Sequence, residues 1–392
     1  MKGPLFLAES TGLGLTGCFL AEYAVRLRWN LILTLWIPLA LALALALALA
    51  CGGGGATTSS SASGGGTTQP AFPADWTAAV KAQAHPIQSL DPSAADDSDL
   101  AFLGLLLQSR RLVGLGECSH TIAEFDAVKV RLIKYLHEQQ GFDVIAFEAP
   151  ILNCYRANGQ VAIQDPGAAL KDAIYGVWST ADVAELFAYV KTTQSTAHPL
   201  ILAGFDVQAY ADNTDMSWRP ALFQQAIQSV DATYAQQVQA LDTAYLQDIY
   251  KPTVLQSKAS SYKAQYQALV DWIDGHTAQL NAANTGQPLL PFMLRQAAAS
   301  VAANIDANLD TDVPGVEARD AGMAVNLEAL MDTAYPDKKI LAWAHNAHLM
   351  HDFDATPSGF TDMGQLISQR YGSQVYIIGL YFGQGSFLAS LG

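Results

Sequence analysis

The sequence predicts an α/β fold: a mostly parallel sheet flanked by helices, with a helical insertion or subdomain. Three observations predict it. Short, almost wholly apolar runs recur along the chain, as expected of strands buried on both faces. Segments with apolar residues at helical spacing separate them, which is the alternation of parallel βαβ units. Between about 218 and 310 that alternation stops, and the composition turns to Ala, Gln, Leu and Tyr with few strand signals.

In chain order, 76–80 and 100–108 read as helices and 112–116 as a strand. A helix is predicted over 122–140, with Phe125, Val128, Leu132, Ile133 and Leu136 on one face and Gly141 as its C-cap. Residues 143–148 form a second buried strand, which Ala149-Pro150 is expected to break. Helical patterns follow at 152–162 and 181–191, and a third strand at 200–205. Beyond the insertion come a helix over 319–331, a fourth strand at 339–344, a short helix at 364–371 and a last strand at 374–381.

The N-terminus has a different composition. Residues 31–50 are nearly all apolar and end in Leu-Ala pairs; Arg26 and Arg28 precede them and Cys51 follows. A basic flank, an apolar core and a small-residue end describe an export signal over 1–50. Ala48-Leu49-Ala50-Cys51 resembles a lipoprotein cleavage site, which makes Cys51 the expected lipidated residue and the lipid the expected contact with the membrane. An uncleaved membrane span is the alternative, since the run is long enough to cross. Residues 51–70, rich in Gly, Ser and Thr, read as a flexible tether, and 71–392 as the folded domain. The expected location is the bacterial cell envelope.

The chain has 21 Lys and Arg against 36 Asp and Glu, net −15 at pH 7. That balance argues against nucleic acid or an anionic bilayer surface as partner. Cys118 and Cys154 each follow a predicted strand, so a disulfide and two buried thiols are both open readings.

Ionisable groups gather where strands end. Glu117 and His120 follow the first, Glu148 closes the second, Asp206 follows the third, and His345 and His348 follow the fourth. In open parallel sheets ligands bind at the carboxyl ends of the strands. A neutral imidazole there takes a proton from water near neutral pH, which makes His120 the candidate general base, with Glu117 or Glu148 to hold its tautomer. His345 and His348 are candidates for oxyanion stabilisation or, with His351, for a metal set. Lys129 and Arg131 cannot share a helix face; one is expected to reach the cleft and bind an oxyanion, the other to lie in solvent. There is no Gly-x-Ser-x-Gly elbow, and Gly114-Leu115-Gly116 lacks the third glycine of a dinucleotide site. No cofactor is predicted.

An ordered set of segments resembles the erythromycin esterase family. It comprises Gly114-Leu115-Gly116-Glu117-Cys118-Ser119-His120, Glu124-Phe125, Lys129-x-Arg131-Leu132, Gly141-Phe142, Phe147-Glu148, Trp178-Ser179-Thr180, Gly204-Phe205-Asp206-Val207-Gln208, Arg319-Asp320, Ala344-His345-Asn346-Ala347-His348 and Met363-Gly364-Gln365. The resemblance implies hydrolysis of a carboxylic ester or lactone, macrolides included, by water activated at His120. It maps the family's acids to Glu117 and Glu148, its histidine pair to His345 and His348, and its basic residue on the first helix to Lys129. A metal-dependent hydrolase in the same cleft and a ligand-binding lipoprotein without turnover are the alternatives.

Overall fold

The computed structural model describes residues 8–9, 81–211, 215–310, 312–351 and 361–382. The export signal, Cys51, the tether and the helix expected at 76–80 lie outside these residues, apart from a two-residue strand, Ala8–Glu9. The chain divides into two compact units, 15–84 and 1–14 with 85–392. Of the first, the described part is residues 81–84, helical over 81–83.

The second unit is an α/β structure built on a five-stranded, all-parallel sheet flanked by helices. Its strands are β1 (Leu112–Glu117), β2 (Phe142–Pro150), β3 (Ile201–Asp206), β4 (Lys339–His345) and β5 (Val375–Leu380). They lie in the order β5-β1-β4-β2-β3, with Ala8–Glu9 antiparallel beyond β5. Successive side chains point to opposite faces, and each face feeds its own core. Val113, Leu115, Ile145, Phe147, Leu341 and Trp343 join a core with the helices Ala123–Gln140 and Ala181–Thr193. Val144, Ala146, Ala203, Phe205, Ile340 and Ala342 join the other, with the insertion and the helices Val313–Ala329 and Met363–Tyr371. Burial on both sides is why the strands read as unbroken apolar runs.

The helix Ala123–Gln140 shows how local signals are met. Glu124 and Asp126 occupy its first turn, where the helix dipole favours negative charge. Gly141 ends it at φ 70°, a left-handed cap. Phe125, Val128, Leu132, Ile133 and Leu136 are all buried; each such burial contributes about 1.5–3 kcal/mol.

Two elements differ from expectation. Ala149-Pro150 does not end β2. The strand continues through Pro150, which pairs with Asp206 after a register shift following Phe147, an irregularity at which proline's missing N–H is tolerated. The helix Pro166–Ala173 was not expected, although Asp165 caps it by accepting from Ala168 N and proline fills its first turn. From 218 to 309 the described residues form six helices, Trp218–Ile227 through Val301–Leu309.

Candidate active site

Four neighbouring strands bring their carboxyl ends side by side. Glu117 of β1 lies in register with His345 of β4. Glu148 of β2 flanks β4 on its other side, and Asp206 of β3 pairs with Pro150. The sheet order therefore places side by side groups that the chain separates by more than two hundred residues.

The two glycines of β1 make this possible. A Cβ at Gly116 would sit 2.1 Å from Asn346 Oδ1, and one at Gly114 would press on Ile377 and Leu349. The bare strand lets the short helix Asn346–Leu349 settle directly on it. His345 caps that helix by accepting from Ala347 N at 3.1 Å, and His348 is carried within it.

On the first face, Glu117 is 1% exposed. Its Oε1 pairs with His120 Nδ1 at 2.7 Å and accepts from Trp178 Nε1 at 2.5 Å; its Oε2 accepts from Lys129 Nζ at 2.8 Å. Burial pushes this carboxyl up, but Lys129 and His120 outweigh burial and hold it at about 2. The carboxylate therefore stays charged at neutral pH, accepts from Nδ1–H of His120, and leaves the basic lone pair on Nε2. The His120 side chain is 26% exposed, and its ring lies 5.1 Å from that of His345 and edge-on to Trp178 at 5.4 Å. Thr121, just after it, has φ 64°, a strained value for a β-branched residue.

Lys129 is 0% exposed. Its ammonium is held by Glu117, by Ala344 O at 3.4 Å and over the Trp343 ring at 4.3 Å. Burial pulls it below its ordinary value, with Glu117 opposing. It thus touches Glu117 from below rather than the cleft. Arg131, expected in solvent if Lys129 reached the site, is also buried; it clamps Asp99, Asp97 and the Ser89 and Asp96 carbonyls, tying the preceding segment to the helix. Asp126, one turn before Lys129, is raised to about 7 by burial and by the charge of Glu117.

On the second face, Glu148 accepts from His345 N at 2.9 Å and from Arg319 Nη2 at 2.8 Å. His348 lies between two acids: Nδ1 is 2.9 Å from Asp320 Oδ1 and Nε2 is 3.3 Å from Glu148 Oε1. Arg319 also holds Asp206 by two bonds, at 2.7 and 3.2 Å, and the Tyr175 hydroxyl donates to Asp206 at 2.9 Å. Burial alone keeps imidazole neutral, but Asp320 and Glu148 together raise His348 to about 10. Arg319 Nη1 stands 3.1 Å from His348 Nε2, where it would donate to a neutral ring. Two flanking carboxylates against one cation decide for the imidazolium, with Nε2–H given to Glu148. Burial pushes Glu148 up, and His348 and Arg319 hold it well below the usual carboxylate range.

The structure thus gathers His120, Glu117, Glu148, His345 and His348 at one end of the sheet, with Lys129 beneath them. Trp178, Arg319, Asp320 and Tyr175 complete the network. None of these four follows a strand, so the strand-end rule does not find them. Cys118 and Cys154 are both buried and no disulfide joins them; the Cys154 thiol lies 3.4 Å from Ala173 O, and burial pushes its pKa up. Among the described residues no three His, Cys, Asp or Glu side chains gather as a metal-ligand set.

The site is thus a buried acid paired with a partly exposed imidazole, beside a charged His–Arg network at the strand ends of an α/β sheet. The sequence matches the erythromycin esterase family over residues 137–391, and the chain belongs to that family. It is 31% identical over 324 residues to the "Putative hydrolase YbfO" of Bacillus subtilis (strain 168), covering 77% of this chain and 72% of that one. Its fold is similar to that of a Bacillus cereus protein, with TM-score 0.63 at 18% identity over 77% of this chain and 73% of the other. It is also similar to a mutant of the erythromycin esterase EreC in its open conformation, with TM-score 0.59 at 20% identity over 74% of each chain. The family and the relative support hydrolase activity on a small molecule.

Proposed function

We propose that the protein hydrolyses carboxylic esters or lactones, macrolide rings among the candidates, with water activated by His120. The observation that carries this is the 2.7 Å pairing of a partly exposed His120 with a Glu117 held charged by buried Lys129. His120 Nε2 takes a proton from water as the water oxygen bonds to the carbonyl carbon. The carbonyl electrons move onto oxygen, and the positive potential of the His348 imidazolium and the Arg319 guanidinium, with the His345 ring beside His120, stabilises that charge. The tetrahedral centre then collapses, its carbon–oxygen ester bond breaks, and the imidazolium of His120 gives its proton to the leaving alkoxide. Lys129 acts through Glu117, whose charge stabilises that imidazolium.

The test is hydrolysis of a panel of esters and lactones by the purified protein and by His120→Ala. Loss of activity in a folded variant supports the assignment; full activity in that variant would remove His120 as the base.

Export and lipid anchoring belong to the same proposal, supported by the apolar run 31–50 ahead of Cys51. Cleavage there removes Ala8–Glu9 and keeps the five parallel strands. Cys51→Ser is expected to abolish incorporation of labelled fatty acid; undiminished labelling would refute anchoring at that residue.

A further inference from the structure

Among the described residues three side chains pair with Glu117, and Trp178 is the one whose donor neither carries a charge nor exchanges a proton. The Trp178 indole is 1% exposed and gives its Nε1–H to Oε1 at 2.5 Å, the same oxygen that His120 Nδ1 meets at 2.7 Å. Its ring stands edge-on to His120 at 5.4 Å and to Trp343 at 6.4 Å, so packing fixes the direction of the N–H.

The placement is local in origin. Trp178 closes a short 3₁₀ turn, Gly176–Trp178, with its own backbone N–H on Tyr175 O at 3.1 Å. Three residues make one turn of such a helix, so positions 175 and 178 share a side. Tyr175 donates from there to Asp206 at 2.9 Å. One turn thereby holds one acid of each half of the site.

The indole bond acts on His120 through the shared oxygen. While His120 is neutral, Oε1 carries its full share of the carboxylate charge, and the indole N–H stabilises it. Once His120 takes a proton, the imidazolium already balances that oxygen, and the positive end of the indole dipole faces a cation. The bond is therefore stronger in the neutral state and opposes protonation of His120. The other groups that face the pair are Lys129 and Asp126 on the helix Ala123–Gln140, His345 at the end of β4, and Glu148 at the end of β2 with Arg319 and His348 behind it. Glu117 and Glu148 draw a proton onto His120. A neutral donor on Oε1 offsets that pull without adding a charge to the site.

We propose that Trp178 is a positioning residue: its N–H pins Glu117 Oε1 against His120 and keeps that imidazole in its neutral, proton-accepting state. For its catalytic consequence the proposal rests on the hydrolase reading above.

The test removes the N–H and keeps an aromatic ring. Trp178→Phe does so with a smaller ring. Benzothienylalanine at position 178 puts sulfur where the N–H was, keeps the shape, and covers the case of a phenylalanine variant that does not fold. The His120 ring is titrated by NMR in the purified protein, its signal assigned against His120→Ala, and the pH profile of ester hydrolysis is recorded alongside. In both variants the His120 midpoint is expected to rise by about one pH unit. The acid limb of kcat/KM moves by the same amount, while KM at the plateau is unchanged, because the buried indole touches no substrate. Tyr175→Phe, which removes the matching donor from Asp206, is expected to leave the His120 midpoint in place. An unmoved midpoint in the Trp178 variants, or an equal rise in the Tyr175 variant, overturns the proposal: the first marks an indole that only packs, the second a general loosening of the turn. A raised midpoint in a protein that turns over no ester sinks the hydrolase and keeps the hold of Trp178 on His120. Turnover with an unmoved midpoint does the reverse.

Discussion

The two acids of the site are both buried, yet their surroundings differ. Glu117 is held by one lysine and one indole, and it keeps in place an imidazole that reaches the surface. Glu148 belongs to a closed network of Arg319, His348, Asp320, Asp206 and Tyr175, in which the charges answer one another. A group that must exchange protons needs an open nitrogen and a partner of steady charge. A group that must stabilise charge needs dipoles that do not reorganise. On the proposed mechanism the first half suits proton transfer and the second a fixed field.

The largest effect expected from this contrast is on turnover. His120→Ala should lower the hydrolysis rate by about 10²–10⁴ while leaving the melting temperature nearly unchanged. A large loss of stability instead would show that the first half is structural too. Glu148→Gln should act oppositely, because it replaces by a neutral amide the carboxylate that Arg319, His348 and the His345 N–H share, while Asp206 and Asp320 stay as counter-charges. It should cost stability by about 1.5–3 kcal/mol, read from denaturant unfolding, alongside loss of activity.

The charge states offer two sharper tests. Glu117 lies near 2, below its ordinary value, so it stabilises the fold above that ordinary value, and the contribution is lost as pH falls toward 2. Lys129→Met removes the main lowering charge, so the acid limb of the activity profile should move to higher pH; an unmoved limb would separate Lys129 from catalysis. His348 lies near 10, above its ordinary value, so its contribution is complete below that ordinary value and is lost as pH rises through 10. Asp320→Asn should flatten the alkaline fall in melting temperature; a persisting fall of the same size would place its origin elsewhere. The smallest effect is expected at Thr121→Gly, which relieves the left-handed strain beside His120. It should gain about 1 kcal/mol in stability and lower activity less than tenfold, as the imidazole loses its fixed approach.

Much of this site was legible in the sequence because strands announce their ends. Glu117, His120, Glu148, Asp206 and His345 all close or follow an apolar run, and a parallel sheet needs no further information to place such residues on one edge. Arg319 and Asp320 sit on a helix whose periodicity gives no hint that its polar face meets β2 and β3. Lys129 was visible as a basic residue but not as a buried one. Helical spacing puts it with Phe125 and Leu132 on the core-facing side, and the acid at the end of β1 makes that position tolerable for a charge. Pro150 misled because proline usually ends a strand, and here it stands at an irregular terminal pair.

The contact between β1 and the Asn346–Leu349 helix has a further consequence. At positions 114 and 116 the spacing between the two histidine-bearing segments is set by hydrogen atoms, and no residue is smaller than glycine. Substitution there runs in one direction only, toward bulk: at 116 it is expected to lift the short helix and its imidazole, and at 114 to press on both Ile377 and Leu349. Those two positions set how closely the two segments approach, and they should be the least forgiving places for anyone who tries to re-engineer the site.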